Sequence, residues 1–304
     1  MTAATLFRLM LAGELGLYLL LGGTLVARCD WAIGQAIGLA LLLAVALRGF
    51  IVSVTFIFSR AHAAAAPAAC RIGPGQALTM FLREWAAFCL LFTLLVPFER
   101  FFMGADRLGR GEDGRPPVLL IHGYQCNRGF WLWLRSALER NGWQAATLSL
   151  SPVFNDIDGY VELVARRIEE VCAATGSDRV ILVGHSMGGL VSRAYLRRHG
   201  AARVAKLVTL GSPHHGSRLA VLGLGENGRQ MVPGSAWLAA INAPGAVPLP
   251  PTASIYSCQD NYVMPQDSSV LEGAKVVPLA GIGHIEMAFS PEIERRLLAE
   301  LGSC

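Results

Sequence analysis

The run Val180-Ile181-Leu182-Val183-Gly184-His185-Ser186-Met187-Gly188-Gly189 constrains this chain more than any other stretch. Apolar, mostly β-branched residues end in Gly-x-Ser-x-Gly, and a helical pattern begins at once. A strand, a sharp turn and a helix in that order lift the serine hydroxyl above the carboxyl end of a sheet. The flanking glycines leave room for a strained turn and close backbone packing. The following helix aims free N–H groups and the positive end of its dipole at the turn, which suits a site that must hold an oxyanion. A glycine-rich turn around a buried serine is the plainer alternative, and the partners found downstream weigh against it.

The rest of the chain divides by greasiness. Hydrophobic residues make up 53% and charged residues 16%, an apolar excess for a soluble domain. The excess lies in residues 1–103. One apolar stretch runs from about Leu6 to Ala27, broken by Arg8 and Glu14; a second from Trp31 to Phe58, with Arg48 inside; a third from about Ala77 to Phe102, with Arg83 and Glu84 near its start. A helix needs about 20 mostly apolar residues to cross a bilayer. The second meets this, and the first does with Arg8 at its end, although Glu14 is costly if it faces lipid. The third can span or lie along the surface. A cleaved signal peptide fits poorly, because only Arg28-Cys29-Asp30 separates the first stretch from the second. A helical hairpin is expected, with 59–76 as a loop. If that loop faces the cytoplasm and all three stretches cross, Arg60 and Arg71 satisfy the positive-inside rule. The remainder then lies on the outer side of a cell membrane, although Arg100, Arg107, Arg110 and Arg115 pull the other way.

Other bulk properties mainly exclude. A formal charge of +4, with the basic residues scattered, gives no case for nucleic acid. Seven cysteines at no metal-like spacing predict neither a disulfide framework nor a structural metal, and no cofactor is expected.

Residues 104–116 are polar and glycine-rich, a linker in composition, and 117–304 read as a second unit. Short apolar runs at 118–121, 144–150, 179–183, 204–210, 254–258 and 275–279 read as strands. Helical patterns at 130–141, 160–174, 187–199 and 291–301 alternate with them. That alternation predicts an α/β class with a mostly parallel sheet and helices on both faces, preceded by two or three transmembrane helices. Active sites in such sheets lie at the carboxyl ends of strands.

A serine needs a base, and the base needs an orienting group. In the chain order serine, acid, histidine, only His284 leaves room for an acid in between, and it follows the last strand in a glycine-rich loop. Asp260 directly follows a strand and is favoured as the acid over Asp267 and Glu272. The oxyanion donors are expected at Met187 and at Tyr124, with Gln125 as the neighbouring alternative. His122, Gly123, Gln125, His185 and His214 are expected to line the substrate site.

At these residues the chain resembles bacterial triacylglycerol lipases of the α/β-hydrolase superfamily. His122-Gly123-Tyr124, the segment around Ser186, Gly211-Ser212-Pro213-His214-His215-Gly216-Ser217, and Ser257-Cys258-Gln259-Asp260 with Gly283-His284 carry the likeness, which covers about 117–304. The resemblance implies ester hydrolysis through an acyl-enzyme. It fixes neither the ester nor hydrolysis against acyl transfer. The calcium site and disulfide of some larger lipases of that group find no place here, and neither is expected. Residues 217–251, rich in Leu, Gly, Pro and Ala, form an insertion long enough to be a cap or acyl-binding wall, or simply a loop packed on the sheet. An apolar anchor beside such a site points to a lipid ester as substrate and the bilayer as partner. A phospholipase or deacylase, an acyltransferase, or a non-catalytic binding protein on the same fold are the alternatives.

Overall fold

A computed structural model describes residues 1–65, 67–110 and 114–302. Three long helices come first: α1 (Ala3–Arg28), α2 (Ile33–Ala61) and α3 (Pro74–Leu90), the last running on as a π-helical turn to Leu95. All three are long and apolar enough to cross a membrane. A short α4 (Glu99–Phe102) follows. Then come β1 (Val118–Ile121), α5 (Leu132–Arg140), β2 (Ala145–Leu148), α6 (Val161–Thr175), β3 (Val180–His185), α7 (Met187–His199) and β4 (Val204–Leu210). After the insertion come β5 (Thr252–Ser257) and β6 (Lys275–Leu279). The insertion carries α8 (Gly225–Gln230) and α9 (Ala236–Ile241), and α10 (Pro291–Leu301) closes the chain.

The strands form one six-stranded sheet in the order β2-β1-β3-β4-β5-β6, and every pairing is parallel. Strand periodicity divides the core in two. Leu119, Ile121 and Leu182 point to the face covered by α6 and α7, where Val161, Val164, Ile168 and Leu190 are buried. Val118, Leu120, Ile181 and Val183 point to the opposite face, under Leu134 and Leu138 of α5 and Ile293 and Leu297 of α10. Element ends follow local chemistry. Gly176 stops α6 in the left-handed region, at φ 73°. Ser290 caps α10 through a hydrogen bond from Ile293 N, with Pro291 at the first helical position.

The N-terminal helices join this core. Ala3, Ala87, Leu91, Leu95 and Val96 are buried in the same cluster as α5 and α10. Met1 O accepts a hydrogen bond from Val153 N at 3.0 Å, so α1 begins at the C-terminal domain. α2 returns to it: Ser59 Oγ donates to Asp260 O at 2.7 Å, and Thr55 Oγ1 accepts from Asn261 Nδ2 at 2.8 Å. α3 is held along its length. Ile72 lies beside Gly281, Glu84 reaches the 283–286 loop, and Val96 O accepts from Asn127 Nδ2 at 2.8 Å. Thus α1 and α2 form a hairpin projecting from the domain, whereas α3 runs along it.

Three expectations are corrected. Cys70 and Cys258 form a disulfide between residues 188 positions apart, a pairing that no local spacing signals. The 59–76 loop carries Cys70, and Gln259 Nε2 donates to Cys70 O at 2.8 Å. The loop therefore lies on the same side as the domain, which removes the premise of the positive-inside count above. The expected linker is also anchored in its described part. Asp106 accepts from Thr147 N and Thr147 Oγ1, and it pairs with Arg135 and Arg167. Residues 111–113 lie outside the described residues.

Glu14 of α1 accepts from both Arg48 and Tyr18, so the Glu14 and Arg48 charges neutralise one another across the helix interface. Arg48→Leu is expected to destabilise the protein by about 2 kcal/mol, because it strands a carboxylate away from water. Adding Glu14→Leu should recover most of that loss. Thermal unfolding of the four proteins in detergent measures the coupling, and an additive result would show that the pair contributes nothing.

Candidate active site

Parallel pairing sets the centre of the site. Ile121 of β1 lies opposite Gly184 of β3, so the loop after β1 runs beside the turn after β3. Ser186 occupies that turn at φ 54° and ψ −126°, a conformation that L-residues avoid. Its N–H is held by Leu210 O at 2.9 Å. The turn closes only because its neighbours are glycine. A Cβ on Gly188 would lie 2.1 Å from Ile121 O, and one on Gly123 would lie 2.7 Å from Ser186 Cβ. Met187 opens α7, so its N–H has no acceptor within the helix.

Asp260 follows β5 and is buried. Its Oδ1 accepts from Tyr262 N and Val263 N, both at 2.8 Å, and its Oδ2 meets His284 Nδ1 at 2.7 Å. That bond makes Nδ1 the donor and leaves Nε2 as the free base. Burial opposes a charge on His284. The Asp260 carboxylate, by charge and hydrogen bond, with Glu84 beyond it, outweighs burial and raises the imidazole pKa above its ordinary value. Tyr262 stacks on the ring at 5.1 Å between centroids.

Ser186 and His284 line one cavity of about 370 Å³, together with Gly123, Tyr124, Gln125 and His185. Its outer walls are apolar: Phe7 and Met10 from α1, Ile51 from α2, Phe88 and Phe92 from α3 and its extension, and Leu219, Leu222 and Met231 from the insertion. Tyr124 pins the insertion, since its hydroxyl accepts from Leu224 N and donates to Leu224 O, both at 2.7 Å.

The other expected positions are distributed unevenly. His185 touches the cavity but is almost wholly buried. It stacks on Phe130 at 4.1 Å, and burial holds its pKa well below the ordinary value. His122 and His214, expected at the substrate site, lie outside the cavity wall. His122 bonds Gly123 O through Nδ1 and accepts from Leu150 N through Nε2, so it is a neutral brace, and burial pushes its pKa down to about 4. His214 is buried beside Thr209 and Arg193. There Asn242 Nδ2 donates to His214 O, and Arg193 reaches Ile241 O and Asn242 Oδ1, which ties the insertion to α7. Asp267 is exposed and away from the cavity. The aromatic wall from α1 and α3 was not anticipated. Its only sequence signal is the run of large apolar residues that also reads as membrane. Among the described residues no cluster of three or more His, Cys, Asp or Glu could hold a metal ion.

Residues 116–227 match the family model described as alpha/beta hydrolase fold. The C-terminal domain has the α/β-hydrolase fold. A triacylglycerol lipase from Pseudarthrobacter phenanthrenivorans is 36% identical over 114 residues, covering 35% of each chain. Another from Burkholderia plantarii is 36% identical over 114 residues, covering 35% of this chain and 32% of that one. The chain thus spans about a third of the length of the curated relatives it matches. Among solved structures, a mature lipase from Bacillus licheniformis superposes with a TM-score of 0.58 at 19% identity, covering 65% of this chain and 96% of the other. Aspergillus fumigatus lipase B gives 0.58 at 20% identity, covering 64% and 54%. At such identities the α/β-hydrolase architecture is what the superpositions share with this chain.

Gly188→Ala should lower the yield of folded protein and cost about 2–4 kcal/mol, because the obstructing atom is a strand carbonyl that cannot swing aside. Denaturation of the purified variant tests this, and wild-type stability would mean that the turn tolerates a side chain.

Proposed function

We propose that this protein is a membrane-anchored serine hydrolase that cleaves lipid carboxylic esters. The observation that carries the reading is the Asp260–His284 hydrogen bond at the cavity that also holds Ser186 in a strained turn. Ser186 Oγ attacks the ester carbonyl as His284 Nε2 takes its proton. Asp260 keeps the imidazole oriented and stabilises it while charged, without taking the proton itself. The N–H groups of Met187 and Tyr124 hold the developing oxyanion. His284 then protonates the departing alcohol, and water repeats the sequence on the acyl-enzyme, releasing the acid.

The apolar walls support a lipid substrate. An acyl chain lying in the cavity touches Phe7, Met10 and Ile51 of the α1–α2 hairpin that enters the bilayer, and Phe92 of the α3 extension packed beside it. The insertion presents Val221, Leu222 and Leu224, 61%, 70% and 62% exposed, beside that mouth. Apolar surface there is stable in contact with lipid and costly in water. The ester thus reaches the serine from the membrane surface. The Cys70–Cys258 disulfide supports an outer, oxidising location for the domain, since the reducing pool of a cytosol breaks such bonds. The arginines that share this face, among them Arg60, Arg71 and Arg100, count in the opposite direction.

Purified wild type should hydrolyse long-chain esters in mixed micelles and react with a fluorophosphonate. Ser186→Ala should abolish both, and Asp267→Ala should leave both intact. Activity only on water-soluble short esters would remove the lipid part of the reading. Labelling of intact cells by a membrane-impermeant fluorophosphonate is expected for an outer domain, and protection until lysis would place it inside.

The base acts only when neutral. With its pKa raised above the ordinary 6.5, kcat/KM should climb with pH through a midpoint above 6.5 and vanish below it. Asp260→Asn removes the principal raising charge. The midpoint should then move to lower pH while the plateau falls by about 10⁴-fold. An unmoved midpoint would show that another group sets it.

A further inference from the structure

Glu84 is a carboxylate on an apolar helix, wholly buried against the C-terminal domain. Its Oε1 accepts from Ile285 N at 3.1 Å and its Oε2 from Glu286 N at 2.7 Å. These are the two residues immediately after His284. Close approach is possible because residue 283 is glycine: a Cβ there would lie 2.3 Å from Glu84 Oε2. The acid loop is held from the same side. Asn261 Nδ2 donates to Thr55 Oγ1 of α2, while Asn261 Oδ1 accepts from His284 N at 3.0 Å. Ser59 and Gln266 both donate to Asp260 O. A buried carboxylate is stable only with such donors, and two backbone N–H groups fix its position as firmly as it fixes theirs.

We propose that Glu84 is a positioning residue for His284, so that the N-terminal helices complete the catalytic centre as well as anchor it. This rests on the reading of Ser186, Asp260 and His284 given above. Glu84 acts through the loop backbone, which sets where the imidazole stands in the cavity it shares with Ser186, and a displacement of about 1 Å at a reacting group is enough to cost 10²-fold in rate. The groups facing the His284 ring are Asp260, His185, Tyr262 and, beyond the loop, Glu84. Glu286 lies behind the loop, bonded from Gly283 N and paired with Arg83. Burial keeps His185 neutral, and Asp260 is the principal negative charge that favours the imidazolium. Burial also raises the Glu84 carboxyl to about 7 against its two backbone donors, so its charge adds to that of Asp260 only as pH rises through the range in which His284 titrates.

Full-length wild type, Glu84→Gln, Gly283→Ala and Ser186→Ala should be compared in detergent micelles. Measurements are kcat, KM, the pH profile and the unfolding temperature. Glutamine keeps the shape but loses the charge and turns an N–H group toward a backbone donor. Glu84→Gln should therefore lower kcat about 10- to 100-fold with KM within twofold, and shift the acid limb down by about half a pH unit. A side chain that only fills space would not move that limb. Gly283→Ala leaves Glu84 in place but separates it from the loop, and should shift kcat and the limb the same way. It carries the test alone if Glu84→Gln does not fold. A folded Glu84→Gln or Gly283→Ala with wild-type kcat and pH profile overturns the role of Glu84. Activity surviving in Ser186→Ala would instead overturn the hydrolase reading beneath it.

Discussion

Everything around the site follows from how closely α7 approaches the end of β1. Only hydrogen fits between Gly188 and the Ile121 carbonyl. That contact pulls the first turn of α7 under the sheet edge and forces Ser186 into its positive-φ turn. It also brings the loop after β1 against the serine, so Gly123 faces Ser186 Cβ and Tyr124 stands at the cavity. The same approach places the positive end of a helix dipole and a free N–H beneath the hydroxyl. The turn's strain of about 1–3 kcal/mol persists because β1, β3 and β4 fix it from three sides.

Fold class was legible in the sequence wherever a segment is governed by its own period. β4, β6, α7 and α10 begin and end where the apolar pattern and capping residues set them. Helix α6 shows Val161, Val164, Ile168 and Val171 on one face, and all four are buried. At the site, Ser186, Asp260 and His284 could be singled out because each follows a strand, and strand ends meet at one rim of a parallel sheet. His122 and His214 follow strands too, yet both turn inward. Their ring nitrogens find Leu150 N and Thr209, partners that no spacing reveals. Position after a strand identifies which residues reach the rim, and hydrogen bonding to distant backbone decides which of them face the cavity.

What the sequence hid is contact between units. Composition divides the chain near residue 103, and the division suggests a tether and a separate enzyme. Energetically the boundary is absent. Leu91, Leu95 and Val96 share a core with Leu134 and Leu138, and Phe7 stacks on Phe92 at 4.9 Å. An apolar face reads the same whether it will meet lipid or protein, because both remove it from water. The insertion shows the same ambiguity. Its inner residues Leu238 and Ile241 are buried while Val221 and Leu222 are exposed.

Polar residues resolve that ambiguity for α3. By length and hydropathy it is as able to cross a bilayer as α1. Yet α1 and α2 satisfy their internal charges with each other through Glu14 and Arg48, whereas Glu84 of α3 has its partners on the C-terminal domain. In hydrocarbon that carboxylate would cost several kcal/mol. Against the domain it meets two backbone N–H groups, and its neighbour Arg83 meets Glu286 at the surface. Two adjacent residues thus decide that α3 lies along the domain, and the position they select puts a buried carboxyl group, hydrogen-bonded to two backbone N–H groups, behind the histidine loop.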